Sequence, residues 1–459
     1  MKSLLLNNAQ LVYANGAIVH GGLRAVDGII VEVFEGAGPP RARGEEVIDG
    51  HGNFVLPGLI DPHVQLPTSD DGAPYGSETK SAAVGGVTTI IKMHRDLAGY
   101  DTSSSPAEIE VAESRACVDF SYHIAVMTNE QIEAIPELAR RFSSNSFKFF
   151  TAYKGEEGYQ IGIQGIDDGQ LLDAFRAVAA VSGVALVHCE NQELAARALR
   201  AARSAGRDDL RAWADSRPSI VEAEAVRRVA YLAASAECQL YVVHVSARQS
   251  LEYLVPFKRA GGRVYIETEA HYLTETADSP AGVLAKIIPP VREETDKEAL
   301  WEAVTAGDLD TIGSDHVLVR KDAKLGSVWD ARLAFPGIAT ILPVMLSEGY
   351  WKRGVPLWRL VQLTSTNAAR IFGLSRKGML LPGMDADFVV IDVEVEKCVE
   401  APMLSSASDF SIYEGRVLRG WPVLTVCRGN VVARNGEFVG DEGYGRYVAR
   451  RPAGVELSA

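Results

Sequence analysis

His63, Lys148, His188, His244 and Asp315 stand at comparable places along the chain, each at or just past the end of an apolar run. Val55-Leu56-Pro57-Gly58-Leu59-Ile60 leads to His63, Val184-Ala185-Leu186-Val187 to His188, Leu240-Tyr241-Val242-Val243 to His244, and Thr311-Ile312-Gly313 to Asp315. Imidazole and carboxylate together suit zinc, with manganese or cobalt as alternatives, and a catalytic ion of that kind keeps one position open for water. One strand-end histidine is more often a packed core residue than a ligand. Three of them, in one order with an aspartate and a lysine, are not readily produced by chance. Lys148 is the odd member, because Phe147, Phe149 and Phe150 surround its ammonium and an unpaired buried charge is costly.

Residues so far apart can meet only if a repeating architecture brings strand ends to one mouth. The middle of the chain supplies the repeat. Helical periodicity over residues 170–181, 221–236, 249–260 and 297–306 alternates with near-continuous apolar strands. This predicts a parallel sheet covered on both faces, closed into a (β/α)8 TIM-like barrel over residues 53–379. Short strands and Gly-containing turns fill both ends: Leu4-Leu5-Leu6, Gln10-Leu11-Val12-Tyr13 and Gly28 to Val33 early, Asp387 to Asp392 and Val423 to Cys427 late. Residues 1–52 and 380–459 are therefore expected to meet in one small β-sandwich domain.

Composition narrows the class. The 459 residues are 47% hydrophobic and 23% charged, which excludes disorder, and a net charge of -14 with no Lys/Arg cluster excludes nucleic acid and anionic membrane as partners. Five scattered cysteines without a CxxC pair fit free thiols in a reducing, cytoplasmic setting. No apolar stretch is long enough for a membrane span.

Taken together, Leu56-Pro57-Gly58-Leu59-Ile60-Asp61-Pro62-His63-Val64-Gln65 and the other strand ends resemble the cyclic-amide hydrolases of the amidohydrolase superfamily: hydantoinases, dihydropyrimidinases and allantoinases. Further landmarks are Ser216-Arg217-Pro218 with Val221-Glu222, Pro289-Pro290-Val291-Arg292, Thr366-Asn367-Ala368-Ala369-Arg370, and Gly383 to Asp387. The resemblance implies a small-molecule substrate, one or two divalent ions, and carbamylation of Lys148 into an anionic bridge between them. It puts His63, Gln65, Lys148 and Asp315 around one ion, and Lys148, His188 and His244 around the other. It also implies that metal-activated hydroxide attacks the carbonyl, that Asp315 is general base and acid, that Tyr153 stabilises the oxyanion, and that the chain forms a homo-oligomer, dimer or tetramer.

One residue departs from the pattern. The family writes His-x-His where this chain has His63-Val64-Gln65, either as a substituted second histidine or as a small deletion before Gln65-Leu66-Pro67. Either way an imidazole is missing, and a glutamine oxygen is a poorer ligand. His94 is a candidate to compensate or to contact substrate. At the expected substrate contacts the chain has Ile288 and Leu333, which with Trp329 and Phe335 imply an apolar pocket. Leu66-Pro67-Thr68-Ser69 lacks the arginine of dihydroorotases. Two alternatives follow: a mononuclear enzyme acting on a linear urea, carbamate or amide, and a catalytically silent dihydropyrimidinase-like protein.

Overall fold

The computed structural model describes residues 2–67, 69–96, 104–155, 158 and 161–450, so Thr68 lies outside the described residues. In chain order, β1 (Ser3–Val12), β2 (Ile18–Val26), β3 (Ile29–Glu35), β4 (Glu46–Asp49) and β5 (Phe54–Pro57) come first. The parallel strands follow: β6 (Leu59–Gln65), β7 (Val87–His94), β8 (Asp119–Ala125), β9 (Ser146–Phe150), β10 (Val184–His188), β11 (Gln239–Val242), β12 (Val264–Glu269), β13 (Thr311–Gly313) and β14 (His316–Val317). The chain closes with β15 (Phe388–Cys398), β16 (Val417–Cys427), β17 (Asn430–Arg434) and β18 (Glu437–Phe438).

Strands β6 to β14 form the barrel expected from the alternating pattern. Their Val, Ile and Phe are buried on both sides, which suits parallel strands between a helical layer and a packed interior. The last two strands are one strand in two parts. β13 pairs with β12, whereas β14 pairs with β6 through His316↔Val64 and Val317↔Gln65, closing the ring. The break falls at Ser314 and Asp315, where Asp315 takes a φ of 45°. The covering helices stand close to where their periodicity put them, at Asp168–Ala180, Ser219–Ser235, Arg248–Arg259 and Glu294–Ala306. Asp167 and Gln170 form a capping box at the start of the first, and Gly307, at φ 84°, ends the last. No described helix is long and apolar enough to cross a membrane.

The two ends of the chain share one sheet, ordered β18-β17-β16-β15-β5-β1-β2-β3 with β4 on β1, around a core that includes Leu4, Leu11, Leu23, Val55, Phe388 and Val426. Here the structure corrects one expectation. Leu4-Leu6 and Gln10-Tyr13 read as two short strands, but β1 runs through both with its register slipping between Leu6 and Ala9. Asn8 makes this possible: it adopts a φ of 51°, and its amide donates to Asp49 Oδ1 at 2.9 Å.

Two devices tie this sheet to the barrel. β5 passes through Gly58 directly into β6, and any Cβ at Gly58 would lie 2.2 Å from Thr88 Oγ1. Beside it, the Lys377 ammonium reaches Asp119 at 2.8 Å, Asp385 at 3.3 Å and also Asp387, while Arg428 Nε holds Asp119 at 3.0 Å. Asp119 opens β8 and Asp387 precedes β15, so the network clamps the barrel onto the terminal sheet.

Candidate metal centre

At the C-terminal mouth of the barrel, β10 and β11 deliver two imidazoles face to face. His188 Nδ1 and His244 Nε2 are 2.9 Å apart, so two ring nitrogens converge on one point. The far nitrogen of His188 lies 3.1 Å from Glu190 Oε2, and that carboxylate oxygen accepts from Arg217 Nη1 at 2.7 Å. This fixes the ring with Nδ1 toward the mouth. His244 sits at φ 43°, and its N–H donates to Glu267 Oε2 at 3.1 Å. The loop after it is pinned by Glu222, which accepts from the backbone of Ser246 and Ala247 and from Arg292 at 3.1 Å. The sequence landmarks around Glu222 and Arg292 thus hold the turn that presents His244. Burial lowers the pKa of both imidazoles, that of His244 well below its ordinary value, which favours neutral rings; with His188 Nε2 donating to Glu190, its Nδ1 carries the lone pair that accepts from His244 Nε2.

β6 and the β13–β14 break build the other half. His63 Nδ1 donates to Glu267 Oε2 at 2.9 Å and lies 3.2 Å from Glu269 Oε1, while His63 Nε2 is 3.3 Å from Asp315 Oδ1. Burial alone would lower the His63 pKa, but the Asp315 and Glu267 carboxylates overcome it and raise it to about 10. Glu269 is pushed well above the usual carboxylate range by burial and by its neighbour Glu267. Beneath them Asp61 accepts from the N–H groups of His63 and Ser314 at 3.1 and 3.2 Å, stapling β6 to the strand that carries Asp315. Gln65 does not point its amide away from this group: Nε2 donates to Asp315 Oδ1 at 2.6 Å.

Lys148 rises between the halves from β9. It is buried, its Nζ is 5.3 Å from the Phe150 ring centre, and it forms no salt bridge among the described residues. Desolvation brings its pKa down to about 8 despite the pull of Glu267 and Asp315. At pH 7 roughly a tenth of such an amine is neutral, against a negligible fraction for a solvated lysine. The donor set fits divalent ions: opposed imidazole nitrogens on one side, an imidazole and carboxylates on the other, and a buried amine between.

Of the thirteen described non-glycine residues with positive φ, three belong to this group: Tyr153 at 64°, His244 at 43° and Asp315 at 45°. Residues 54–432 match the Amidohydrolase family. The chain belongs to that family. This amidohydrolase is 32% identical to an L-hydantoinase of Paenarthrobacter aurescens, with 98% of this chain and 99% of the relative covered. It is 33% identical to an allantoinase of Rubrobacter xylanophilus over 95% and 97% of the two chains. Among solved structures, a D-hydantoinase superposes with a TM-score of 0.90 at 31% identity, covering 99% of this chain and 100% of that one. The L-hydantoinase (dihydropyrimidinase) of Arthrobacter aurescens gives 0.91 at 31% identity, over 98% and 100%.

Within the amidohydrolase frame, His63, Gln65, Lys148, His188, His244 and Asp315 all come together, and Tyr153 packs its ring 4.9 Å from that of His188. His94 does not join them. It stacks on Tyr122 at 4.7 Å and meets Glu108 at 3.1 Å on the outer face of the barrel, because β7 turns the alternate residues Ile91 and Met93 inward. Ile288 and Leu333 stand on adjoining segments, joined by Ala334 N–H to Lys286 O at 3.0 Å. Trp329 faces Trp213 at 6.2 Å, whereas Phe335 is fully buried against His271 and is core. Sequence reasoning missed Glu190, Glu267 and Glu269. The series Tyr265, Glu267, Glu269 at alternate positions was the available signal, since one face of a barrel strand points inward.

Proposed function

We propose that this chain is a metal-dependent hydrolase that opens a cyclic amide, imide or ureide at a carbonyl–nitrogen bond. The observation that carries the reading is the opposed pair His188 Nδ1 and His244 Nε2, 2.9 Å apart, beside an unpaired buried Lys148. The ions are one or two zinc, manganese or cobalt ions, held by His63, Asp315 and Lys148 on one side and by Lys148, His188 and His244 on the other. Divalent ions supply Lewis-acid polarisation of the carbonyl and acidify water.

The chain's own groups do the rest. Lys148, desolvated among phenylalanines, is suited to take up carbon dioxide and become an anionic carbamate, which removes the cost of a buried lone ammonium. Asp315 takes the proton of the attacking water and returns it to the departing nitrogen. Gln65, donating to Asp315 Oδ1, holds that carboxylate in line and leaves its other oxygen to work. Glu190 with Arg217, and Glu267, fix His188 and His63. Tyr153 stands beside His188 as a donor for the developing oxyanion. Ile288, Leu333 and Trp329 give the ring's substituent an apolar surface. Four of the five cysteines are buried free thiols, which supports a reducing, cytoplasmic setting.

The test is a panel of dihydropyrimidines, aryl hydantoins, allantoin, succinimide-type imides, lactams and phenylureas offered to metal-reconstituted protein. Ring opening of at least one cyclic class is expected, reduced about 10²- to 10⁴-fold in Asp315→Asn. Hydrolysis of phenylureas alone would overturn the cyclic-substrate reading.

A further inference from the structure

With Gln65 donating its amide to Asp315, the His63 half has lost one nitrogen ligand and has no neutral donor to replace it. What it has instead is a carboxylate. We propose that Glu269 is the metal ligand that stands in for the missing imidazole, so that His63 and Glu269 together hold the first ion. This rests on the reading of the mouth as a metal centre and adds a ligand to it.

Two glutamates of β12 reach this half, and their surroundings separate their roles. Glu267 is fully engaged: Oε1 accepts from the Tyr241 hydroxyl at 2.8 Å, and Oε2 from His244 N–H at 3.1 Å and from His63 Nδ1 at 2.9 Å. Glu269 is completely buried, yet neither of its carboxylate oxygens receives a hydrogen bond. His63 Nδ1 is 3.2 Å away but carries one proton at most, already directed at Glu267. A buried carboxylate that receives no hydrogen bond is costly, and His63, the cation that meets it, is shared with Glu267 and Asp315.

The room around it is also specific. Glu269 pairs in register with Gly313 on β13, and a Cβ at 313 would lie 2.8 Å from Glu269 Oε2. The absent side chain is what lets this carboxylate lie inside the ring. Donor atoms of His63, Glu267 and Glu269 all fall within 4.8 Å of one another, a spacing one ion with bonds of about 2.0–2.2 Å can span with small rotamer changes once it displaces the proton of His63 Nδ1 to solvent. Exchanging an imidazole for an anionic oxygen also alters which ion is preferred, away from zinc and toward manganese.

The experiment titrates metal-free, full-length protein with Mn²⁺ and with Zn²⁺, reading bound Mn²⁺ by electron paramagnetic resonance and total metal by mass spectrometry. Wild type is expected to hold two ions. Glu269→Gln, nearly isosteric, should lose one of them or bind it at least about tenfold more weakly, the loss that even the hydrogen-bond partners of ligands produce. The ion at His188 and His244 should be unaffected. Adding Gln65→His to Glu269→Gln should restore the second ion and reverse the preference from Mn²⁺ to Zn²⁺. Unchanged affinity for both ions in Glu269→Gln would overturn the assignment of Glu269 alone. A wild-type protein that binds no ion would overturn it together with the metal centre. Should Glu269→Gln not fold, Glu269→Asp, with the charge one methylene back, should bind the first ion more weakly than wild type, and equal binding there would also count against the proposal.

Discussion

Among the described residues, two clusters of three buried carboxylates can be compared, and they are neutralised in opposite ways. Asp119, Asp385 and Asp387 at the junction of sheet and barrel bring three cations of their own, Lys377, Arg428 and Arg376, at 2.8 to 3.3 Å. Glu267, Glu269 and Asp315 at the mouth have His63 among them and Lys148 nearby without a salt bridge. The first is closed: every negative charge is answered by a side chain, and the ensemble clamps two sheets. The second has one cation fewer than its carboxylates, and that deficit is what the proposed divalent ion would fill. Counting acids would not separate the two; counting resident cations does.

Removing a lysine from each cluster should break the comparison in opposite directions. Lys148→Ala should abolish turnover by orders of magnitude and strip most of the bound metal, because the proposed carbamate could no longer form to hold the ions. The thermal stability of its metal-free form should be equal to wild type or higher, since a buried unpaired ammonium has been deleted. Full activity in this variant, assayed after metal reconstitution, would remove Lys148 from the centre.

Lys377→Met should do the reverse. Leaving three buried aspartates with Arg428 and the more exposed Arg376 should cost about 3–5 kcal/mol in denaturant unfolding, while kcat/KM per folded molecule stays at the wild-type value. A loss of activity without a loss of stability would mean that the clamp reaches the chemistry.

The smallest effect concerns pH in chelator-treated protein. His63 has its pKa raised from 6.5 to about 10 in the folded state, so it binds its proton more tightly there than when unfolded. Its stabilising contribution is fully present below about pH 6.5 and is lost as pH rises toward about 10. Melting temperature should therefore fall between about pH 6.5 and pH 8 in the metal-free wild type and fall less in His63→Gln; above about pH 8 Lys148, whose pKa burial lowers to about 8, loses its proton more readily folded than unfolded and offsets the slope in both proteins. Lys377, whose pKa is raised well above its ordinary value by Asp119 and Asp387 against the opposing effect of burial, adds nothing to the slope there. Equal slopes in both proteins would show that His63 is not protonated among its carboxylates.

The barrel and five of its mouth residues were legible because each follows an apolar run, and in a closed parallel barrel strand ends have one place to converge. Gln65 was legible as a departure, but its work was not: that its amide holds Asp315 depends on β14 pairing with β6, a contact between residues far apart in the chain. Glu269 was hidden for a different reason. The apolar run of β12 stops at Ile266, so Glu267-Thr268-Glu269 reads as the polar start of a loop, although the strand continues through it. His94 misled in the converse way, standing at a strand end with the wrong parity. The bulge in β1 could not be seen either, since Asn7-Asn8 carries the same signal whether the chain turns back or slips register.

The passage from β5 to β6 through Gly58 sets an order of events during synthesis. β5 pairs with β15 from the far end of the chain, Val55↔Val390 and Leu56↔Val389 among the partners, while His63 follows only a few residues later on β6. The strand that carries His63 thus continues from one anchored by residues made long after it. Such distant pairings are paid for in loop entropy before they return any contact, and they close late. The half containing His188 and His244 depends on neighbours nearer in sequence and can form while the chain is still emerging. On the proposed reading, metal uptake would accordingly be staged: the nitrogen-rich half can form first, and the half built on His63 only when both ends of the chain have met.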